Sequence, residues 1–218
     1  EDPFGNLRSD DNSTSVTATR NAGSGDLQGT THLTALNGVV TFTNLSHNVA
    51  PSITILFTSG SLVSTTSTTI AISPASVSAL AFSTQPGNAA VGAAFGTQPV
   101  VKTRDAFGND SILGLAGSLN VSVSLTSGGG PLQGVTTLDV GTSAGNGTAT
   151  FTDLRIDATG TNKQLTASAS GLTSAVSSAF TVNPGAATSL AIQTQPPSSA
   201  TAGVTFSPAT VVRLLDSF

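Results

Sequence analysis

The sequence predicts an all-β protein, a tandem of β-sandwich domains. Three observations carry that expectation: a composition hostile to helices, a self-similarity with a period of about 110 residues, and short alternating apolar runs closed by turn residues. The 218 residues include 30 Ser and 34 Thr, 23 Gly, 10 Pro and a single Glu, Glu1. Glu, Lys and Gln, which normally build exposed helix faces, are scarce, whereas β-branched and turn residues abound, so long amphipathic helices are not expected. The 38% of hydrophobic residues are enough to fill a core, which separates the chain from disordered linkers of equally low charge.

The repeat sets the organisation. Ser78–Pro86 ("SALAFSTQP") returns as Thr188–Pro196 ("TSLAIQTQP"), an offset of 110. Arg104–Asp110 ("RDAFGND") has partners in "EDPFGNL" at the start and "LLDSF" at the end, at offsets of 103 and 111. Between these landmarks Leu27 matches Leu132 at 105, Phe42 matches Phe151 at 109, and Pro74 matches Pro184 at 110. Offsets that step up only between landmarks are those of a domain whose loops change length while its strands do not. A period this long suits one domain per repeat, arranged as beads on a string. The expected domains are residues 1–77, lacking two opening strands; residues 78–185, complete; and residues 186–218, the opening strands of a third copy. Linkers are expected near Ser73–Val77 and Asn183–Ala187.

Within the complete copy, period-two faces mark the strands in order. They run through Leu80 and Phe82; Val100 to Lys102; Leu119, Val121, Val123 and Leu125; Ala149, Phe151 and Leu154; Leu165, Ala167 and Ala169; and Phe180 and Val182, with one more between Leu132 and Val140. About seven short strands in roughly 110 residues is the pattern of a sandwich. The antibody version is excluded, because Cys, Trp and Tyr are all absent, and Phe, Leu and Val must fill the core.

The succession from "LAFSTQP" through "PVVKTRDAFGND", "GTATFTDLRID" and "SSAFTVNP" resembles the bacterial immunoglobulin-like (Big) repeats of large surface adhesins and other giant repetitive extracellular proteins. The elements that carry the resemblance are Val100 to Asn109, Gly147 to Phe151 and Phe180 to Val182, and it spans essentially the whole chain. It implies Ig-like sandwiches acting as stalk, with binding left to a specialised terminal domain.

Composition also bounds function. Without Cys there is no disulfide, zinc-thiolate or thiol nucleophile, and seven basic residues against eleven acidic ones do not make a nucleic-acid surface. No run reaches the length of a membrane span, and the opening Glu1–Gly5 is neither an initiator Met nor a signal peptide, so the chain reads as a window on something longer. Absence of both Cys and Met suits an exposed extracellular, secreted or cell-surface setting.

No enzyme is expected: the sequence offers no catalytic, cofactor-binding or metal-ligating residues. Gly141–Gly145 ("GTSAG") matches a nucleophile elbow only by letters, since both histidines, His32 and His47, lie upstream, and the segment falls where the second copy is longer. Two histidines without a third ligand make no zinc site, and surface roles are expected. Asp105, Asn109 and Asp110, with Asp2 and Asn6, could offer oxygens to calcium between domains; a turn closed by side-chain to backbone bonds is the preferred reading. The sequons beginning at Asn12, Asn44, Asn109, Asn120 and Asn146 are expected by chance in so hydroxyl-rich a chain. Ser64–Thr69 ("STTSTT") is read as the outer face of a last strand before any O-glycan site. An internal crosslink through Lys102 or Lys163 is disfavoured because no Glu is near in sequence.

The expected function is a non-catalytic structural repeat of an extracellular stalk or head-to-tail filament at a bacterial surface. The alternative is a glycan- or protein-binding adhesin module working through loops such as Ser127–Pro131, weakened by the absence of Trp and Tyr for stacking. Expected partners are copies of the chain itself, head-to-tail, or further repeats of the same chain. In that scheme residues 187–218, with Leu190, Ile192, Val211 and Val212 in need of burial, would meet residues 13–72 of a neighbour and lead towards its Asp2 to Gly5 turn.

Overall fold

The computed structural model describes residues 4–218; Asp2, with Glu1 and Pro3, lies outside the described residues. Among the described residues the regular elements are all strands, and no helix is long and apolar enough to cross a membrane. The chain divides into two compact units, residues 1–77 with 104–114, and residues 78–103 with 115–218.

The first unit contains β1 (Ser15–Ala22), β2 (His32–Thr34), β3 (Ser52–Thr58), β4 (Thr65–Thr66) and β5 (Ile70–Ala71). They form one antiparallel sheet in the order β2-β1-β3-β4, with β5 also on β3. Alternation places Ala18, Ile53 and Ile55 in the core, with Leu27, Phe42, Leu45, Phe57 and Ile72 partly buried around them.

The second copy supplies β6 (Val77–Thr84), β7 (Ala89–Ala90), β8 (Val100–Asp105), β9 (Asn120–Ser127), β10 (Leu132–Gln133), β11 (Thr137–Asp139), β12 (Thr148–Thr150), β13 (Arg155–Ile156), β14 (Gly160–Ser168), β15 (Ala175–Val176) and β16 (Phe180–Asn183). One sheet runs β11-β9-β14-β16-β7, with β15 on β14, and a second runs β12-β8-β6. Leu80, Val101 and Ala149 from the second sheet meet Val121, Val123, Leu165, Ala167, Phe180 and Val182 from the first in one core, closed by Phe151, Leu154 and Ile156. This is an Ig-like β-sandwich, the expected fold class. Each of the seven expected strands has a counterpart; β7, β13 and β15 are additional two-residue pairings, Phe151 and Leu154 lie beyond the end of β12, and the single strand expected between Leu132 and Val140 is two, β10 and β11.

The two copies share their pairing register. Val16 pairs Leu33 as Val121 pairs Leu138, and Ala18 pairs Phe57 as Val123 pairs Ala167. The β1–β3 ladder slips by one residue between Arg20 and Ala22, and the β9–β14 ladder has its own irregularity where Leu125 and Ser127 face consecutive residues, at the same offset of 105. Ser67 and Ser177 also act alike: each hydroxyl accepts the N–H of the residue opposite, Ile55 at 2.9 Å and Leu165 at 3.0 Å, and donates to the next carbonyl in its own chain. The hydroxyl stands in for a ladder carbonyl where the chain leaves one partner strand for another. Ser67 is thus turned into the sheet, which corrects the reading of Ser64–Thr69 as purely an outer face.

Candidate functional site

Three features repeat or fail to repeat between the copies, and they are where function can be sought. The first is a carboxylate clamp. Asp105, at the end of β8, is 2% exposed and accepts four hydrogen bonds. Oδ1 takes the N–H groups of Phe107 and Asn109, both at 2.9 Å, and Oδ2 takes the N–H of Ala75 and the carboxamide of Asn109, both at 2.8 Å. The Asn109 side chain also accepts from the Ala50 N–H at 3.0 Å and donates to the Asn48 carbonyl at 2.9 Å, while Ser111 donates to the Ala75 carbonyl at 2.6 Å. All these groups belong to the first unit. Burial alone would raise the Asp105 pKa, but the Asn109 carboxamide and the three N–H donors outweigh it and hold the carboxyl below the usual carboxylate range.

In the second unit two of these four bonds recur. Asp216 accepts the Gly185 N–H at 2.9 Å and the Phe218 N–H at 3.0 Å, the counterparts of Ala75 and Phe107. The turn reading of Asp105 and Asn109 is what the structure shows: the carboxylate oxygens face N–H donors. Asp110 pairs with Arg104 at 3.2 Å, and no group of three metal-ligating side chains occurs among the described residues.

The second feature is a glycine loop whose central carbonyl is capped by a side-chain nitrogen. In the first unit the loop is Gly23–Gly25, and His47 Nε2 lies 2.8 Å from the Ser24 carbonyl, with Nδ1 3.0 Å from that of Asp26. In the second unit the loop is Gly128–Gly130, and Lys163 Nζ donates to the Gly129 carbonyl. Lys163 is fully buried, at a position occupied by Ile53 in the first copy: Ile53 pairs Ile70 as Lys163 pairs Phe180. A Cβ on Gly23 would sit 2.9 Å from Ile53, and one on Gly128 2.7 Å from Lys163. A Cβ on Gly25 would lie 3.3 Å from His47, and one on Gly130 3.2 Å from Ile156. The two positions beneath the loop therefore hold isoleucine and histidine in one copy, lysine and isoleucine in the other. The buried Lys163 was missed from sequence because alternation had no sister lysine to compare it with.

The third feature is unequal. Residues 189–215 form a hairpin of β17 (Ser189–Thr194) and β18 (Val211–Leu215) that, among the described residues, pairs only with itself. Leu190, Ile192, Val212 and Leu214 are all at least half exposed.

The remaining candidates are placed as follows. Gly141–Gly145 lies in a run of turns, with Thr142 and Ser143 N–H groups bonded to the Ala116 and Gly117 carbonyls, so Ser143 sits on no strand-to-helix elbow. His32 Nδ1 lies 2.9 Å from the Thr17 hydroxyl, and His47 shares none of its partners, lying against the Ser24 and Asp26 carbonyls. The side chains of Asn12 and Asn44 bond Asn37 and Thr30 respectively, and that of Asn109 is taken up in the clamp. Lys102 stands opposite Thr148 on β8.

No family model and no curated protein matches the chain. Among solved structures the chain is similar to the D0-D1 domain of intimin, with 13% identity over 84% of this chain and 86% of that one, at a TM-score of 0.33.

Proposed function

We propose that the chain is a non-catalytic structural repeat of an extracellular stalk or filament at a bacterial surface. The observation that carries this reading is the recurrence of the clamp. Asp105 onto Ala75 and Asp216 onto Gly185 tie the start of one copy's turn to the residue after the closing proline of the copy before it, Pro74 or Pro184. A bond repeated at these two copy boundaries, while loops vary freely, is what a tandem under tension requires and what an isolated binding domain does not. The pairing register and the serine that switches strands also recur, so the features held constant are those that resist extension.

Pulling the chain from its ends tests this. The expected record is two separate unfolding events, the first unit yielding at the lower force and the second at the higher. A single event, or extension without resistance, overturns the reading. The adhesin alternative would show as saturable hits on a glycan array.

A further inference from the structure

Two turns carry the same dipeptide at the offset of 109, Asn37-Gly38 and Asn146-Gly147, and the sequence holds no other Asn-Gly pair. In each the asparagine takes the left-handed region, at φ 50° and 47°, and the glycine follows at 75° and 81°. The Val39 N–H donates to the Leu36 carbonyl at 3.1 Å and the Thr148 N–H to that of Gly145 at 3.0 Å, so both are two-residue turns. Both asparagines are exposed.

Asn-Gly is a weak covalent point of any polypeptide. The glycine nitrogen, once its proton passes to hydroxide, attacks the asparagine Cγ; the new C–N bond closes a succinimide, and ammonia leaves with a proton returned by water. Water then opens the ring at either carbonyl, giving aspartate or, with the main chain rerouted through Cβ, isoaspartate. In net terms one water is consumed and one ammonia released, with no oxidant or reductant. Glycine favours the attack because no side chain crowds the nitrogen.

The fold occupies that nitrogen in both copies. The Gly38 N–H is donated to the Asp11 carbonyl at 2.8 Å and the Gly147 N–H to the Val140 carbonyl at 2.7 Å, so neither is free to deprotonate and turn on Cγ. Gly147 is buried, its carbonyl accepts the Thr103 N–H at 2.9 Å, and the Asn146 N–H donates to the Gly141 carbonyl at 2.9 Å. At Gly38 the guard is a loop: the Asn37 N–H donates to Asn12 Oδ1 at 2.9 Å, and the Asp11 carboxylate fastens the loop by accepting the N–H groups of Ser13 and Thr14, both at 3.0 Å. β12 starts one residue after Gly147, and its wholly buried Ala149 pairs with Val101. An added main-chain carbon between Asn146 and Gly147 displaces that register and the Val140 bond together.

We infer that the two Asn-Gly turns are latent modification sites, closed while each unit is folded and opened when it unfolds, and that isoaspartate at residue 146 bars the second unit from regaining its native pairing. The only reagent is water. The inference does not rest on the structural-repeat reading and goes beyond it: a unit held open is marked irreversibly.

Peptide mapping by mass spectrometry follows aspartate and isoaspartate at each asparagine in mildly alkaline buffer, for the native chain and for the chain in guanidinium chloride. In denaturant Asn37 and Asn146 are expected to convert at matching rates and ahead of Asn162, which shares their positive φ, at 55°, but precedes Lys163. In native buffer both are expected to slow by about tenfold or more, since conversion waits on local or global opening. Asp11→Ala, which loosens the loop that receives the Gly38 N–H, is expected to raise the native Asn37 rate several-fold and leave Asn146 unchanged. On dilution from denaturant, chains with isoaspartate at residue 146 are expected to leave the second unit unfolded, and Asn146→Asp to refold. Equal native and denatured rates, an Asn37 rate indifferent to Asp11→Ala, or native refolding of the isoaspartyl chain overturns the inference. The structural-repeat reading is decided separately, by the pulling record.

Discussion

The two units share one pairing scheme and differ in what it covers. The same partners, the same slip in the ladder and the same inserted serine hydroxyl occur in both sheets, yet fifteen residues are buried in the second core and three in the first. The difference is the second sheet. β6 and β8 bring Leu80 and Val101, and the β7 segment brings Val91 and Phe95, whose ring packs edge-on against Phe180 at 5.0 Å. Register is therefore set by local pattern and by the hydroxyl that redirects the chain, whereas burial comes from strands distant in sequence.

The largest test of that contrast uses one substitution at sister positions. Phe151 is 2% exposed, while Phe42 is half-buried against Phe57 at a centroid distance of 5.5 Å. Phe151→Ala is expected to cost about 3 to 5 kcal/mol in the second unit, the range for a buried Phe left as a cavity. Phe42→Ala, whose site is already open to water, is expected to cost about 1 kcal/mol in the first. Denaturant unfolding followed separately for the two units reads both numbers. Equal losses would mean that the first unit packs as tightly as the second, and the contrast drawn from burial would fall.

The clamp gives the next effect in size. Removal of the Asp105 carboxylate leaves the N–H groups of Ala75, Phe107 and Asn109 without their acceptor in a buried site, so Asp105→Ala is expected to cost about 3 kcal/mol. Asp216, less buried and with two such bonds, is expected to cost about 1 kcal/mol when replaced by Ala. The Asp105 contribution is also pH-dependent. Its folded-state pKa lies below its unfolded value, so the stabilisation is fully present above the unfolded value, roughly 4, and is lost as pH falls through the lower folded value. The denaturation midpoint of the first unit should therefore fall on acidification below about pH 4, more steeply than in Asp105→Asn. Parallel curves for the two proteins would remove Asp105 from the clamp.

These contrasts also show what the sequence could and could not reveal. Strand identity was legible because alternation and turn residues are local: Val121, Val123, Leu165 and Ala167 all face the core as their spacing indicates. The turn at Asp105 was legible as a turn, because Asp, Gly and Asn close turns through their neighbours. Its grip on Ala75, Asn48 and Ala50 was not, since those bonds join residues 30 to 61 apart and depend on how the chain returns. Two-residue strands such as β7 and β15 are too short to leave a period. The capping of Ser24 and Gly129 escaped for a different reason: the same carbonyl is reached from different positions in the two copies, so comparison of aligned residues shows two unrelated substitutions where the fold shows one exchange.

That exchange yields the finest test of the comparison, and it is made in the first unit. His47→Ile alone removes the ring nitrogens that lie 2.8 Å from the Ser24 carbonyl and 3.0 Å from that of Asp26, which then turn to water, at an expected cost of about 1 kcal/mol. Ile53→Lys alone places an ammonium beneath a loop already served by His47 and replaces a side chain that is 3% exposed, so its cost is expected to be about 2 kcal/mol. Together the two changes recreate the arrangement of the second unit, in which lysine reaches the central carbonyl and isoleucine fills the neighbouring position under the third glycine of the loop. The double variant is expected to be more stable than the sum of the single losses by about 1 kcal/mol, within the range measured for residues sharing a partner. The measurement is a double-mutant cycle on the first unit's unfolding transition. Strict additivity would mean that His47 and Lys163 bond their loops by coincidence, and that the two copies reached the same loop shape without a common need for a donor beneath it.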